Sequence, residues 1–169
     1  IDGALTAHGQ KIDMVYNRLV DFAFDDSDHV LLKQAYLDGA VVVTPNPHVH
    51  AMLANKQNLT LLSDSQTLRD WGLDEAAVEC LERSVPRTKI VSRDDAAELW
   101  RTRRQLFFKP VSGYGSKGVY RGSKLTRRVF ENILDEDYIA QTFIPATERS
   151  LKIDDTVAIR KVDIRLYMY

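Results

Sequence analysis

Lys109 closes the apolar run "QLFFKP" (Gln105 to Pro110), and Gly113, Gly115 and Gly118 follow it in the spacing G-x-G-x-x-G. A lysine at the end of a buried strand supplies a compact positive charge. Glycines at that spacing let successive backbone N–H groups turn toward one anion, because they reach backbone conformations closed to other residues. Together the two features predict a phosphate site, with Lys109, Gly113, Gly115 and Gly118 around it.

Several loops hold phosphate this way, and sequence order separates them. A dinucleotide fingerprint needs a helix to start directly after the last glycine. Here "VYRGSK" follows Gly118 and reads as a strand, with no helix expected before Thr126. A Walker loop needs Gly-Lys-Ser/Thr at its end, and Val119 stands where the lysine belongs. The remaining reading is a glycine hairpin folded as a lid over a triphosphate. Kinase lids precede their phosphate lysine in sequence, whereas Lys109 precedes this loop.

The elements that must position these residues are legible from periodicity. "IDMVYNRLV" (12–20) reads as a strand, "HVLLKQAYLDG" as a helix with Val30, Leu31, Gln34, Ala35 and Leu37 in period and Gly39 as its stop, and "AVVVTP" (40–45) as a second strand. That rhythm predicts part of a small parallel α/β layer. Asn46 caps the next helix with Pro47 at its first position, and a break is expected near Asn55. "SQTLRDWGLDEAAVECLERSVP" predicts short helices broken at Gly72. After Pro86 the order is strand "TKIV", a helix capped by Ser92, strand "QLFFKP", the glycine loop, strand "GVYRGSK", a helix capped by Thr126, strand "YIAQTFIP", and a long strand "VAIRKVDIRLYMY". The expected fold class is therefore α/β (α+β), a mostly antiparallel sheet preceded by the small parallel layer, with domains at 1–85 and 86–169. Helices from Ser92 and Thr126 are expected on one face of that sheet.

Composition narrows the function. The chain of 169 residues carries 23 basic and 24 acidic side chains, so no global field favours nucleic acid or an anionic membrane. Cys80 is the one cysteine, which excludes an intrachain disulfide and a multi-thiolate zinc site. No apolar run approaches a membrane span and no leader pattern opens the chain, giving an expectation of a cytoplasmic protein. The start without Met and the end at "DIRLYMY" predict a piece of a longer protein. His48 and His50 stand two apart on a predicted helix and face different directions, so no metal site is assigned.

The motif order carries a resemblance. From about Asn46 to Tyr169 the chain resembles an ATP-grasp ligase, nearest the glutathione synthetase and ribosomal-protein glutamate ligase group. "HAMLANKQNLTLLSD", "VPRTKIV", "FFKPVSGYGSKGVY", "YIAQTFIP" and "KVDIRLYM" match that family's segments in sequence order, and "VYNRL" and "GAVVVTPNP" resemble the small domain in front of them. The resemblance implies ATP and magnesium (Mg2+) as cofactors. It implies Lys56 and Lys109 as phosphate lysines, Gly113 to Gly118, with Ser116, as the phosphate lid, and Gln141, Thr142, Phe143 and Ile144 around adenine. Lys161, Asp163 and Arg165 would face the nucleotide and acyl acceptor, with Arg165 in the catalytic role. The family's magnesium carboxylates would fall beyond Tyr169. The implied reaction is ATP-dependent carboxylate–amine or carboxylate–thiol ligation through an acyl phosphate, on a small-molecule or peptide carboxylate. A small-molecule kinase of the same fold and a nucleotide-binding regulatory module without turnover are the alternatives. Tyr114 either packs on the lid or covers substrate.

Overall fold

The protein is described from a computed structural model, which describes residues 3–154, 156–164 and 166. Contacts divide the chain into two compact units, Ile1–Asn58 and Leu59–Tyr169. The change of rhythm at 85–86 falls inside the second unit, where helices give way to sheet.

The first unit opens with an antiparallel hairpin that the sequence pattern did not reveal, β1 (Thr6–Ala7) and β2 (Gln10–Lys11). Its two-residue turn uses His8 at φ 49° and Gly9 at φ 75°, both in the left-handed region that such a tight turn requires. β3 (Met14–Tyr16) and β4 (Val42–Thr44) pair in parallel, with α1 (Val30–Leu37) as the crossover. The strand expected over 12–20 is only three residues long. The Asn17 side chain accepts a hydrogen bond from the Leu19 N–H at 2.9 Å and turns the chain out of the extended state.

α1 has the expected length but a different inner face. Val30, Leu31 and Leu37 are exposed, while Leu32, Ala35 and Tyr36 pack with Val41, Val43 and Phe24. Phe24 is held at φ 54° by the loop that Asp21 organises. The Asp21 carboxylate accepts from the N–H groups of Asp25 (3.0 Å) and Asp26 (2.9 Å) and pairs with His29 Nδ1 at 2.7 Å. α2 (Pro47–Leu53) starts as expected, with Asn46 accepting from the Val49 N–H at 2.8 Å.

The second unit holds α3 (Asn58–Leu62), α4 (Ser65–Asp70) and α5 (Glu75–Ser84), then the sheet. The sheet consists of β5 (Thr88–Ile90), β6 (Leu106–Pro110), β7 (Tyr120–Arg121) and β8 (Tyr138–Thr142) in the order β5-β8-β6-β7, antiparallel throughout. α6 (Ala96–Thr102) and α7 (Arg127–Leu134) cover one face, as expected. Leu99, Phe130 and Ile133 meet Val91, Phe108, Tyr138 and Ala140 in a closed core. Phe108 and Phe130 contact edge to face, with ring centroids 5.9 Å apart.

Two parts of this unit depart from expectation. β7 stops after Arg121 and gives way to a 3-10 turn at Gly122–Lys124. Gly122 is buried against the backbone of Arg103, and a Cβ there would lie 1.9 Å from the Arg103 carbonyl oxygen. The chain also forms an unforeseen strand β9 (Thr147–Ile153), paired antiparallel with β10 (Thr156–Val162). The strand expected to run on through "DIRLYMY" ends at Val162, and Arg165 and 167–169 lie outside the described residues. No helix among the described residues is long and apolar enough to cross a membrane.

Two outcomes follow from these contacts. Gly122→Ala has no room for its methyl group and is expected to cost roughly 3 kcal/mol, at the upper end for overpacking. Urea unfolding checks this, and a loss under ~0.5 kcal/mol, the range of ordinary surface substitutions, would contradict it. The second concerns Asp21. Its hydrogen bonds to His29 and to the Asp26 and Asp25 N–H groups hold its pKa at about 2, below the ordinary 3.8. A depressed carboxylate contributes stability above its unfolded pKa and loses it as pH falls through the folded value. Asp21→Asn should therefore lower the Tm at pH 5, with the difference from wild type shrinking from about pH 4 downward. An unchanged difference at pH 2.5 would contradict the assignment.

Candidate functional site

Alternation along β6 sends Leu106 and Phe108 toward the helices and Phe107 and Lys109 to the opposite face. On β8, Tyr138 and Ala140 take the helix side and Ile139 and Gln141 the other. Register sets Phe107 opposite Gln141 and Lys109 opposite Ile139, so Lys109 and Gln141 are diagonal neighbours on one face. Thr88 of β5 pairs with Gln141 from the far side.

These three side chains form a relay across three strands. Lys109 Nζ donates to Gln141 Oε1 at 2.5 Å. Gln141 Nε2 donates to Thr88 Oγ1 at 2.9 Å, and Thr88 Oγ1 donates to the Pro86 carbonyl at 2.7 Å. The donor and acceptor roles agree at every link, which fixes the amide orientation of Gln141. Gln141 and Thr88 are buried, so a broken link would strand a polar atom away from water. Ser63 Oγ adds a further tie, accepting from the Thr88 N–H at 3.0 Å. The outcome is a lysine whose ammonium is aimed from a rigid strand end.

The glycine loop leaves that strand end and returns as β7. Gly113, Gly115 and Gly118 have φ of 111°, 65° and 67°, and Ser116 joins them at 60°. Around Gly113 and Gly115 there is open space, so backbone conformation and not packing calls for glycine. Gly118 is different: a Cβ would stand 2.9 Å from Tyr138 Oη. That hydroxyl donates to the Gly118 carbonyl at 2.9 Å and ties the loop's end to β8. Burial, then the neighbouring Tyr120 and Glu136, pushes the Tyr138 pKa up, which keeps the hydroxyl a donor. Tyr114 lies on the lid itself, with Lys117 Nζ 5.7 Å from its ring centroid.

The four residues assigned to adenine have distinct surroundings. Gln141 belongs to the relay. The Thr142 N–H bonds the Arg87 carbonyl at 2.9 Å and the Phe143 N–H bonds the Gln105 carbonyl at 2.8 Å. Phe143 packs on Phe107 (5.4 Å between centroids) beneath the Arg121 guanidinium at 4.3 Å. Ile144 is exposed and lines a cleft of about 520 Å³, with Thr147, Arg149, Val162, Asp163 and Ile164 among its walls. Lys161 is exposed on β10 and is not among the cleft residues. Arg165, the expected catalytic residue, lies outside the described residues.

Lys56 lies in the first unit, in the turn between α2 and α3, where burial lowers its pKa below the ordinary lysine value. Among the described residues no group of three or more His, Cys, Asp or Glu could hold a metal ion. Sequence reasoning missed Thr88 and Tyr138 as parts of the site. The alternation of "YIAQT" gives the side of Tyr138, but its partner and that of Thr88 depend on the strand order, which no local pattern encodes.

No family model and no curated protein matches the chain. Among solved structures it is similar to the ATP-grasp ligase PsnB complexed with minimal precursor, Mg and ADP, at 20% identity and a TM-score of 0.41, covering 92% of this chain and 57% of that one. A complex of PsnB with a phosphomimetic variant of the minimal precursor, Mg and ADP gives 22% identity, a TM-score of 0.41 and coverage of 93% and 57%. PsnB with minimal precursor gives 18% identity, a TM-score of 0.41 and coverage of 91% and 57%. The chain thus spans little more than half the length of these structures.

The Tyr138 tie has a measurable consequence. Tyr138→Phe removes one hydrogen bond to the loop's end and should cost about 1 kcal/mol, the usual net worth of such a bond. Amide exchange within 113–119 should quicken while the α7 amides stay protected. Unchanged exchange in that loop would contradict the tie.

Proposed function

We propose that this chain carries the nucleotide-binding part of an ATP-dependent carboxylate–amine (or thiol) ligase of the ATP-grasp type. One observation carries the reading: a lysine held by a buried relay stands immediately before a glycine loop that returns as the neighbouring antiparallel strand. A lysine preceding its lid is the order that the dinucleotide, Walker and kinase loops lack. The sequence resemblance across the later motifs supports it independently.

In this reading the Lys109 ammonium neutralises the α- and β-phosphates. N–H groups from Gly113 to Gly118, including Ser116, close on the γ-phosphate as the lid folds down. Thr142, Phe143 and Ile144 border the adenine, with Gln141 beneath them orienting Lys109. The resemblance further assigns Lys161 and Asp163 to the nucleotide and acyl-acceptor region, Lys56 as the second phosphate lysine and Arg165 to the catalytic role. Magnesium is characteristically held by substrate phosphates with one or two carboxylates, so the described residues need not form a dedicated cage for it. It supplies charge neutralisation on the triphosphate when bound.

The chemistry is a double displacement. A carboxylate oxygen attacks the γ-phosphorus and ADP leaves, giving an acyl phosphate. An amine nitrogen, or a thiol sulfur, then attacks the acyl carbon, loses its proton and releases phosphate. The protein's part is mainly positioning and electrostatic stabilisation. Such a reaction draws on cytoplasmic ATP, and its substrate is a peptide or small-molecule carboxylate.

The test is binding and turnover with Lys109 altered. A magnesium–ATP analogue is expected to raise the Tm of the wild-type chain, and Lys109→Ala should remove that shift without changing the circular dichroism. In the active ligase, Lys109→Ala should lower kcat/KM by on the order of 10²-fold, the scale for losing one preorganised charge on a transferring phosphoryl group. Lys109→Arg should restore only part, since a planar fork replaces a compact charge. Equal nucleotide binding by wild type and Lys109→Ala would remove the site assignment.

A further inference from the structure

The chain as a whole is nearly neutral, but its charge is sharply segregated. Residues 99–130 contain nine basic side chains and no acidic one, whereas the rest of the chain has 14 basic against 24 acidic. Two of the nine, Lys109 and Lys117, belong to the strand end and lid already described. Six others, Arg101, Arg103, Arg104, Lys124, Arg127 and Arg128, gather at one corner of the second unit.

Packing draws Arg103 and Arg127 onto one ring. Trp100 at the end of α6 is the centre. The guanidinium carbon of Arg103 lies 3.8 Å from the centroid of its ring, and that of Arg127 lies 4.0 Å away. The turn Gly122–Lys124 lies against the Arg103 backbone, which explains why Gly122 has no side chain. Arg101 and Arg104 flank the Trp100–Arg103 pair in sequence and are exposed, and Arg128 is exposed on the first turn of α7.

The carboxylates nearest in sequence are engaged elsewhere. Glu98 pairs with Lys89 at 3.1 Å, and Glu131 with Arg93 at 3.7 Å. Asp95 also pairs with Lys89, and Asp135 with Arg93. Among the described residues no carboxylate forms an ion pair with any of the six. The first turn of α7 carries Arg127 and Arg128 with no acidic residue, the sign opposite to what a helix start favours. Folding alone gives no reason to concentrate so much like charge.

We propose that this corner docks a carboxylate-rich peptide segment, and that it serves as the recognition surface for an acidic peptide substrate; the substrate part rests on the ligase reading above. The Arg103 guanidinium donates one N–H to the Trp100 carbonyl at 2.6 Å, while the exposed guanidinium groups of Arg101, Arg104, Arg127 and Arg128 are planar forks that can meet a carboxylate two bonds at a time. Nucleic acid fits less well. Both close cations lie over the Trp100 ring, where a base would have to stack.

The experiment titrates a fluorescent deca-glutamate peptide into the wild-type chain at low salt, without nucleotide. Binding is expected, and Arg101→Gln/Arg104→Gln/Arg128→Gln should weaken it at least about tenfold, as should raised salt. The charge-matched control Arg69→Gln/Arg83→Gln/Arg160→Gln should stay within about twofold, since those residues belong to α4, α5 and β10, outside the 99–130 stretch. If the triple variant melts early, the single exposed Arg104→Glu replaces it. Lys109→Ala should bind the peptide as wild type does. No peptide binding, equal loss in the control, or tighter binding of a ten-residue oligothymidylate than of the peptide would overturn the proposal. Nucleotide binding with no peptide binding would remove this surface alone. Peptide binding with no nucleotide binding would keep the surface and remove the ligase reading.

Discussion

The relay from Lys109 through Gln141 to Thr88 is the constraint on which the site depends. It crosses β6, β8 and β5, and it exists only if those strands adopt this order and this register. A one-residue slip of β8 would send Gln141 to the helix side and put Ala140 beside Lys109. The closed core on the opposite face makes such a slip expensive, because Tyr138 and Ala140 would exchange places with Ile139 and Gln141. Packing of Leu99, Phe108, Phe130 and Ile133 on one face thus determines where one ammonium points on the other.

The loop beyond Lys109 follows a complementary rule. Its start is fixed by β6 and its end by the Tyr138 hydroxyl on the Gly118 carbonyl, while a Cβ built at Gly113 or Gly115 would meet no atom within 4 Å. A segment anchored at both ends, with space beside its glycines, can close on a ligand without disturbing the sheet. The charge plan agrees with that arrangement. Between residues 99 and 130 every charged side chain is positive, nine in all, and all 24 acidic ones lie outside that stretch.

Much of the fold was legible in the sequence, and the parts that were not share a cause. Helices with a side-chain cap, such as the one from Asn46, or with a left-handed stop, such as the one ended at Gly39, declare themselves locally. So does the inner face of α7, where Val129, Phe130, Ile133 and Leu134 keep a strict period. α1 misled because its apolar residues outnumber the positions its core can take, leaving Leu31 outside and Leu32 within. β9 was missed because "TERSLKI" is polar on both faces, and its pairing with β10 is set by backbone register. For the site, glycines and a strand-end lysine identify themselves by type and spacing. Gln141's tie to Lys109 and Thr88's tie to Gln141 depend on which strands become neighbours, and that is decided by the whole sheet.

The central claim is that Lys109, its relay and the glycine loop form one anion site that takes ATP. The most direct measurement is a backbone and side-chain NMR titration of the labelled chain with a magnesium-bound, non-hydrolysable ATP analogue. The account predicts that the largest shifts fall together on the Lys109 Nζ group, the Gln141 side-chain amide and the N–H groups of Gly113 to Gly118, saturating with one binding constant. Shifts that saturate elsewhere on the chain, with these groups unmoved, would contradict it.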